Sequence, residues 1–597
     1  MKTKATLALT LAAALGGALS VQAQWQTQSI LIKPGWSAIY IHVDASYDTL
    51  DDLVGGDANN PIEEVWMWNP PQSSVQFVTS PQAPLTGNSQ WANWERLNTG
   101  MGATSTLHSL VPNAAYLVRS TAAGNYTWTL KGKPMPPSYS WATTGENFIG
   151  FPTAPNSPPT FSTFLAQAPS LEAVAQIFQY QGGALSSTNP AQVFNLFGTS
   201  VNRGQAFWIR AGSYFNNYYG PFTVVPQDPA GVNFSNSVSQ YSFHLQNPTA
   251  NPVTVQMKLL NSETPPSGEP AIQDVPPLLI RGALVTSNLT YGYTNLTTGN
   301  SVSWTLPPSG QNGSDIQVII GLNRYAMSGA PGTLYAGILQ LTDATGLTEV
   351  DLPVSAQMAS YAGLWIGQAT VSQVRAYLKS FQTDGAGNPV VNTNSGAYII
   401  TSINTNLGPT AQSFPLRLIV HNDGTNVNLL ERVFYGQDPG SNTIVTTSES
   451  FLDPTQLGSA RRISAVHLPW TAANNPYPMS GSLAPGGLLT ATVNTDYADQ
   501  SSNPFLHTFH PDHDNLDATF QIQLPVGVES YDISRNITLN ITPPSDDFQS
   551  LTQAGQSFTG AYSEALILTA IGGATKEFDT AGSFSLSQIS PIAVLTH

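Results

Sequence analysis

Short runs of alternating apolar and polar residues recur along most of the chain, each closed by Gly, Pro, Asn or Asp. Tyr241-Ser-Phe243-His-Leu245, Val253-Thr-Val255-Gln-Met257 and Ser303-Trp304-Thr-Leu306 are examples. A period of two places every second side chain on one face of a pleated strand, so these runs predict half-buried β-strands. Helical spacing is scarce. The best stretch is Leu171-Glu-Ala-Val174-Ala-Gln-Ile177-Phe178, with apolar residues three or four apart. Two hairpins are legible: 335–341 turning through Asp343-Ala-Thr-Gly346 into 350–354, and 416–421 turning through Asn422-Asp-Gly424 into 427–433. Gln521–Leu524 and Asn536–Ile541 read as further strands. The expected fold is all-β, in several tandem domains.

The first part of the chain repeats itself. Gly35-Trp-Ser-Ala-Ile39-Tyr-Ile41 lines up with Gly145-Glu-Asn-Phe-Ile149-Gly-Phe151. Val65-Trp66-Met-Trp68 lines up with Ile177-Phe178-Gln-Tyr180, and Ala115-Tyr-Leu-Val-Arg119 with Ala206-Phe-Trp-Ile-Arg210. The three blocks keep their order, which predicts two related β-domains over 25–136 and 137–226. The first copy is longer, with extra residues between Asn69 and Pro112. An immunoglobulin-like sandwich is expected over 227–357 and a larger barrel or sandwich over 358–597. With 597 residues, about three to five domains fit the length.

The N-terminus sets the expected compartment. Lys2 and Lys4 precede an uncharged Ala- and Leu-rich stretch from Ala5 to Ser20, and Val21-Gln-Ala23 supplies small residues for cleavage. That layout predicts a secretory signal peptide over 1–23 and a secreted or cell-surface protein. Without Lys2 and Lys4, 18 basic residues face 36 acidic ones. Phosphate backbones repel so acidic a chain, so nucleic acid is not an expected partner. No later segment approaches the ~18 apolar residues of a membrane-spanning helix. The chain has no cysteine, which excludes disulfides, thiolate metal sites, cysteine nucleophiles and lipidation at the cleavage site.

The paired blocks resemble a repeat of modular secreted bacterial proteins that opens like "GWNLISFPV" and closes like "GxAYWVR". Here these read Gly35-Trp-Ser-Ala-Ile-Tyr-Ile-His-Val43 and Gly204-Gln-Ala-Phe-Trp-Ile-Arg210. The C-terminal part resembles a domain of similar proteins through Gly363-Leu-Trp365-Ile-Gly367, Phe414–His421 and His510-Pro-Asp-His-Asp-Asn-Leu-Asp517. The resemblance implies a surface or extracellular protein and supplies no reaction.

Two constellations could carry chemistry. Three of the nine histidines, His507, His510 and His513, fall within seven residues and are interleaved with Asp512, Asp514 and Asp517. Imidazole and carboxylate together suit zinc, and the aspartates alone offer oxygens for calcium. Pro511 argues against a helix here, and the EF-hand pattern fails at Leu516 and Asp517. The plain alternative is a polar turn whose Asp and Asn side chains cap their own backbone. His421 and His467 are more distant candidates for the same site. The second constellation is aromatic: Trp66, Trp68, Trp91, Trp94, Tyr214, Tyr218 and Tyr219. Exposed, these rings would suit sugar stacking; core packing is the plainer reading, because large aromatics dominate β cores. The chain holds no G-x-S-x-G, H-E-x-x-H or P-loop. Three functions follow. The first is a non-enzymatic structural or adhesive protein of the cell surface, with self-association or a surface component as partner. The second is a polysaccharide binder working through exposed aromatics. The third is a metal-dependent enzyme at the histidine segment.

Overall fold

The computed structural model describes residues 24–69, 80–96, 105–138, 145–173, 175–210, 218–376, 379–386, 390–394, 399–403, 408–430, 433–437, 443–446, 461–466, 477–495, 531–570 and 575–594. The fold is all-β and multidomain, with several sheets and a closed eight-stranded barrel. The chain divides into two compact units, one running to Met358 with Asp547–Thr552 added, the other holding Ala359–Asp546 and Gln553–His597.

The first unit opens with β1 (Gln26–Ile32), β2 (Gly35–Ile41), β3 (Val43–Asp44), β4 (Ile62–Trp68), β5 (Trp91–Glu95), β6 (Ala114–Ser120) and β7 (Tyr126–Pro134). Next come β8 (Glu146–Gly150), helices α1 (Phe161–Leu165) and α2 (Pro169–Glu172), β9 (Gln176–Gln179), β10 (Ala191–Gln192) and β11 (Ala206–Arg210). The repeated blocks lie on β2, β4 and β6 and on β8, β9 and β11. Their sheets have the same order, β2-β6-β4-β5 and β8-β11-β9-β10. The register agrees residue by residue. Ile39 faces Tyr116 as Ile149 faces Phe207, and Val65 faces Val118 as Ile177 faces Ile209. The long stretch of the first copy contributes β5, an edge strand of five residues where the second copy has two.

These two sheets pack face to face. Tyr40, Trp66, Trp68, Trp91 and Leu117 of one meet Phe148, Tyr180 and Trp208 of the other. Gly150, at the position aligned with Tyr40, makes room for it: a Cβ there would lie 2.3 Å from the Tyr40 Cβ. The outer face of the first sheet packs on the β1-β7-β3 sheet through Ile30, Ile39, Tyr116 and Trp128. The outer face of the second packs on α1 and α2 through Phe161, Phe164 and Phe207. Both repeat sheets are therefore buried on both sides, which is why their strands read as nearly unbroken apolar runs rather than alternating ones. The helical spacing at 171–178 reports α2 only to Glu172. Ile177 and Phe178 are strand residues paired with Ile209 and Trp208, because sheet pairing outweighs local helical preference there.

The rest of the first unit is a sandwich of two five-stranded sheets around one core. Its strands are β12 (Thr223–Pro226), β13 (Val232–Asn233), β14 (Gln240–Gln246), β15 (Val253–Asn261), β16 (Leu278–Val285), β17 (Thr290–Leu296), β18 (Ser301–Leu306), β19 (Asp315–Leu322), β20 (Leu334–Asp343) and β21 (Glu349–Gln357). β12, which precedes position 227, pairs with β14 and so lies in a sandwich sheet. β20 and β21 form the expected hairpin, its turn pinned by Asp343 accepting from the amides of Thr345, Leu347 and Thr348. Helix α3 (Phe548–Thr552) joins this unit by seating Phe548 and Leu551 against Leu279.

The second unit holds β22 (Gly363–Ala376), β23 (Lys379–Phe381), β24 (Ile400–Ile403), β25 (Gly408–Asn422), β26 (Val427–Leu429), β27 (Val433–Gln437), β28 (Thr443–Thr446) and β29 (Arg461–Val466). It continues with β30 (Tyr477–Gly481), β31 (Leu488–Thr495), β32 (Tyr531–Ile541), β33 (Ser557–Ala570) and β34 (Thr575–Ser590). Strands β22, β25, β26 and β30 to β34 close the barrel, which resolves the choice between barrel and sandwich. Its lumen is packed with Trp365, Val371, Leu418, Val420, Ile537, Leu539, Phe558 and Phe584. The β25–β26 turn runs through Asp423 and Gly424, as the sequence indicated.

Candidate functional site

The barrel wall alternates strictly where β22, β33 and β34 run side by side. Trp365, Ala369, Phe558, Tyr562, Phe584 and Leu586 point inward and are buried. Gln368, Thr370, Thr559, Ser583 and Ser585 take the intervening positions and face outward. Pairing lines them up across the strands. Gln368 lies opposite Ser585, and Ser585 lies opposite Thr559 on its other side. One step along, Thr370 lies opposite Ser583. With Thr542 at one wall and Gly560 and Phe584 in the lining, these side chains surround a groove of about 430 Å³. That volume falls in the range of roughly 300–1,000 Å³ usual for small-molecule sites. The lining carries no formal charge; Arg417, opposite Gln368, flanks it.

Inside the barrel, charge is used differently. Arg535 on β32 and Glu564 on β33 form a fully buried ion pair, with Arg535 Nη2 donating to Glu564 Oε2 at 3.2 Å. Tyr562 donates its phenol to the same carboxylate at 2.5 Å. The desolvation cost of burying both charges offsets much of their attraction, so the pair is weak evidence of added stability.

The first unit has a comparable centre. Arg203, ahead of β11, donates to the Asp351 carboxylate at 2.9 Å and to the Glu349 carbonyl at 2.7 Å. Gln26 Nε2 reaches Asp351 at 3.3 Å. One guanidinium thus ties the second repeat to the sandwich, and Asp351 ties the sandwich to β1. His42 is buried nearby, edge-on to Tyr40, with its Nε2 unpartnered. Burial first, and the Arg203 charge second, hold its pKa well below the usual histidine range. Burial, reinforced by Asp351, pushes the Glu349 carboxyl up to about 6. Glu146 lies opposite Arg210, its carboxylate oxygens buried without hydrogen-bond partners, and burial raises it to about 7 against the pull of Arg210.

His507, His510, Asp512, His513, Asp514 and Asp517 lie outside the described residues, as do His467 and Tyr214. His421 is buried on β25, its Nε2 without a partner. Among the described residues no group of three or more His, Asp or Glu side chains is placed to hold a metal. The structure corrects the aromatic platform. Trp66, Trp68 and Trp91 are at most 8% exposed and fill the interface between the repeat sheets. Trp94 points to the opposite side of its sheet, donating its indole N–H to Asp51 at 2.8 Å. Tyr218 and Tyr219 pack against the helices of the second repeat, Tyr218 donating to the Phe164 carbonyl. Among the described residues these six rings are packed against neighbouring side chains rather than laid bare. The groove was missed because Ser583-x-Ser585-x-Ser587 shows an outward face in sequence, while its neighbours, Gln368 and Thr559, are set by pairing over long separations.

No family model matches the chain, and no curated protein matches it. Among solved structures, similarity is reported to the CupB2 chaperone of Pseudomonas aeruginosa (7% identity, TM-score 0.14, 37% of this chain and 97% of that one). The E. coli chaperone DraB gives 10% identity and a TM-score of 0.14, over 35% of this chain and 92% of that one. A Bacteroides ovatus protein of unknown function gives 8% and 0.19, over 62% and 95%. Scores this low carry no inference about this chain. Among the described residues no helix is long and apolar enough to cross a membrane. The barrel's buried core is largely apolar around the Arg535–Glu564 pair, and Ser and Thr recur on the described outer face.

Proposed function

We propose that the chain is an exported, non-enzymatic structural or adhesive protein of the cell surface or extracellular space. One observation carries this reading: four of the twelve arginines are buried or nearly so and are spent on cross-linking β-structure. Arg96 donates to the backbone carbonyls of Val54, Asn60 and Ile62. Arg324 does the same to Phe234, Val238 and Gln357, Arg203 joins the second repeat to the sandwich, and Arg535 is sealed in the barrel. A buried guanidinium satisfied by carbonyls and carboxylates is an architectural element, with no proton or pair of electrons to offer a substrate. The N-terminal pattern and the resemblance to modular secreted proteins support export. The test is prolonged incubation of the purified full chain with polysaccharide, peptide and ester substrates, with metals supplied. No accumulation of product is expected; turnover of any substrate at an enzyme-like rate would overturn the reading.

A further inference from the structure

We infer that the groove on the barrel wall is a binding site for a neutral, hydroxyl-rich ligand, a segment of uncharged polysaccharide. The inference goes beyond the structural reading, since a rigid surface protein needs no such site. It starts from unspent hydrogen-bonding capacity. Gln368, Thr370, Thr542, Thr559, Ser583 and Ser585 converge on one groove, and none of their side chains makes a hydrogen bond within the described residues. At some other places on this protein's sheets, exposed polar side chains reach one another across strands, although Ser29–Thr129 and Thr538–Ser563 do not; what sets the groove apart is that its unpaired groups converge on one concavity. Thr254 bonds Thr305 at 3.0 Å, Gln256 bonds Ser301 at 3.0 Å, and Thr492 bonds Asn536 at 2.9 Å. In the groove, Gln368–Ser585, Ser585–Thr559 and Thr370–Ser583 are direct cross-strand neighbours and do not pair.

The chemistry of the lining selects the ligand. Hydroxyls donate and accept, and the Gln368 amide does both. Such a set matches a partner that also donates and accepts at many points, as sugar hydroxyls do. The lining has no cation to recognise phosphate or carboxylate and no anion to recognise an amine. Rows of outward side chains on neighbouring strands repeat about every 4.8 Å, so the groups form a fixed grid. Every lining residue but Thr542 sits on a strand paired on both sides, so little conformational entropy is lost on binding.

Affinity electrophoresis of the full chain through gels containing dextran, starch, guar galactomannan or konjac glucomannan tests the proposal, with anionic alginate as contrast. At least one neutral gel is expected to retard the protein, and alginate is not. Q368L/T559V/S585A should weaken retardation at least tenfold at unchanged thermal stability. T492V/N536A, on another part of the outer wall, should leave it intact. A second arm does not depend on the triple variant folding. The chain is free of cysteine, so S585C takes a bulky maleimide at one position. Labelling should abolish retardation, and the retained polysaccharide should slow labelling. Indifference of every neutral gel, or retention of the triple variant or the labelled protein at wild-type strength, would overturn the proposal. None of these outcomes bears on whether the chain turns a substrate over.

Discussion

At the scale of single residues, two buried titratable groups oppose each other. Glu146 has a folded pKa of about 7 against an ordinary 4.5. The folded state therefore favours the protonated acid, and that stabilisation, complete below pH 4.5, is lost as pH rises through 7. Glu146→Gln should raise stability at pH 8 by on the order of 2 kcal/mol and change little at pH 4.5, read from thermal unfolding at the two pH values. A Gln variant as labile at pH 8 as the parent would show that Arg210 neutralises the carboxylate. His42 runs the other way. Its folded pKa lies below the ordinary 6.5, so the stability it contributes is present above 6.5 and lost as pH falls. His42→Gln, which leaves Arg203 and Tyr40 in place, should flatten the loss of melting temperature between pH 6.5 and 5. The sequence hid both groups: neither glutamate nor histidine advertises burial, and each is enclosed by strands far from it in the chain.

At the scale of elements, the repeat was the most legible feature. Three short blocks, the last ending in the same arginine, correspond to strands of the same sheet order and register. What the blocks could not reveal was their environment. Arg119 pairs with Glu64 on β4, whereas the aligned Arg210 lies opposite Gln176 on β9 and Glu146 on β8 and bonds neither carboxylate oxygen of Glu146. The tryptophans were legible as strand residues and not as an interface, because two sheets stacking on each other is not written in either one. Gly150→Val is the direct probe of that stacking. A side chain would drive into Tyr40 and Gln205, costing about 3 kcal/mol or more by overpacking and backbone displacement. Melting of the full chain would report it, and a loss below about 1 kcal/mol would show that the sheets can part without penalty.

At the scale of the whole molecule, all-β content and the C-terminal barrel were foreseen as class and alternative. The groove was not, since a barrel wall brings together residues 368, 559 and 585 only after closure. In the first unit, the Arg203–Asp351 pair is nearly fully buried, so removing one partner strands a charge. Arg203→Met should cost about 3 kcal/mol, and R203M/D351N less than the sum of its single changes.

The central claim, that buried charges join the repeats and the sandwich into one rigid structural body, is tested most directly by amide hydrogen exchange on the full chain with and without R203M. The expected result is that amides of β6, β11 and β20 exchange in one slow class in the parent and accelerate together in the variant. Exchange of β20 at a rate of its own, unmoved by loss of Arg203 while β6 and β11 accelerate, would contradict it.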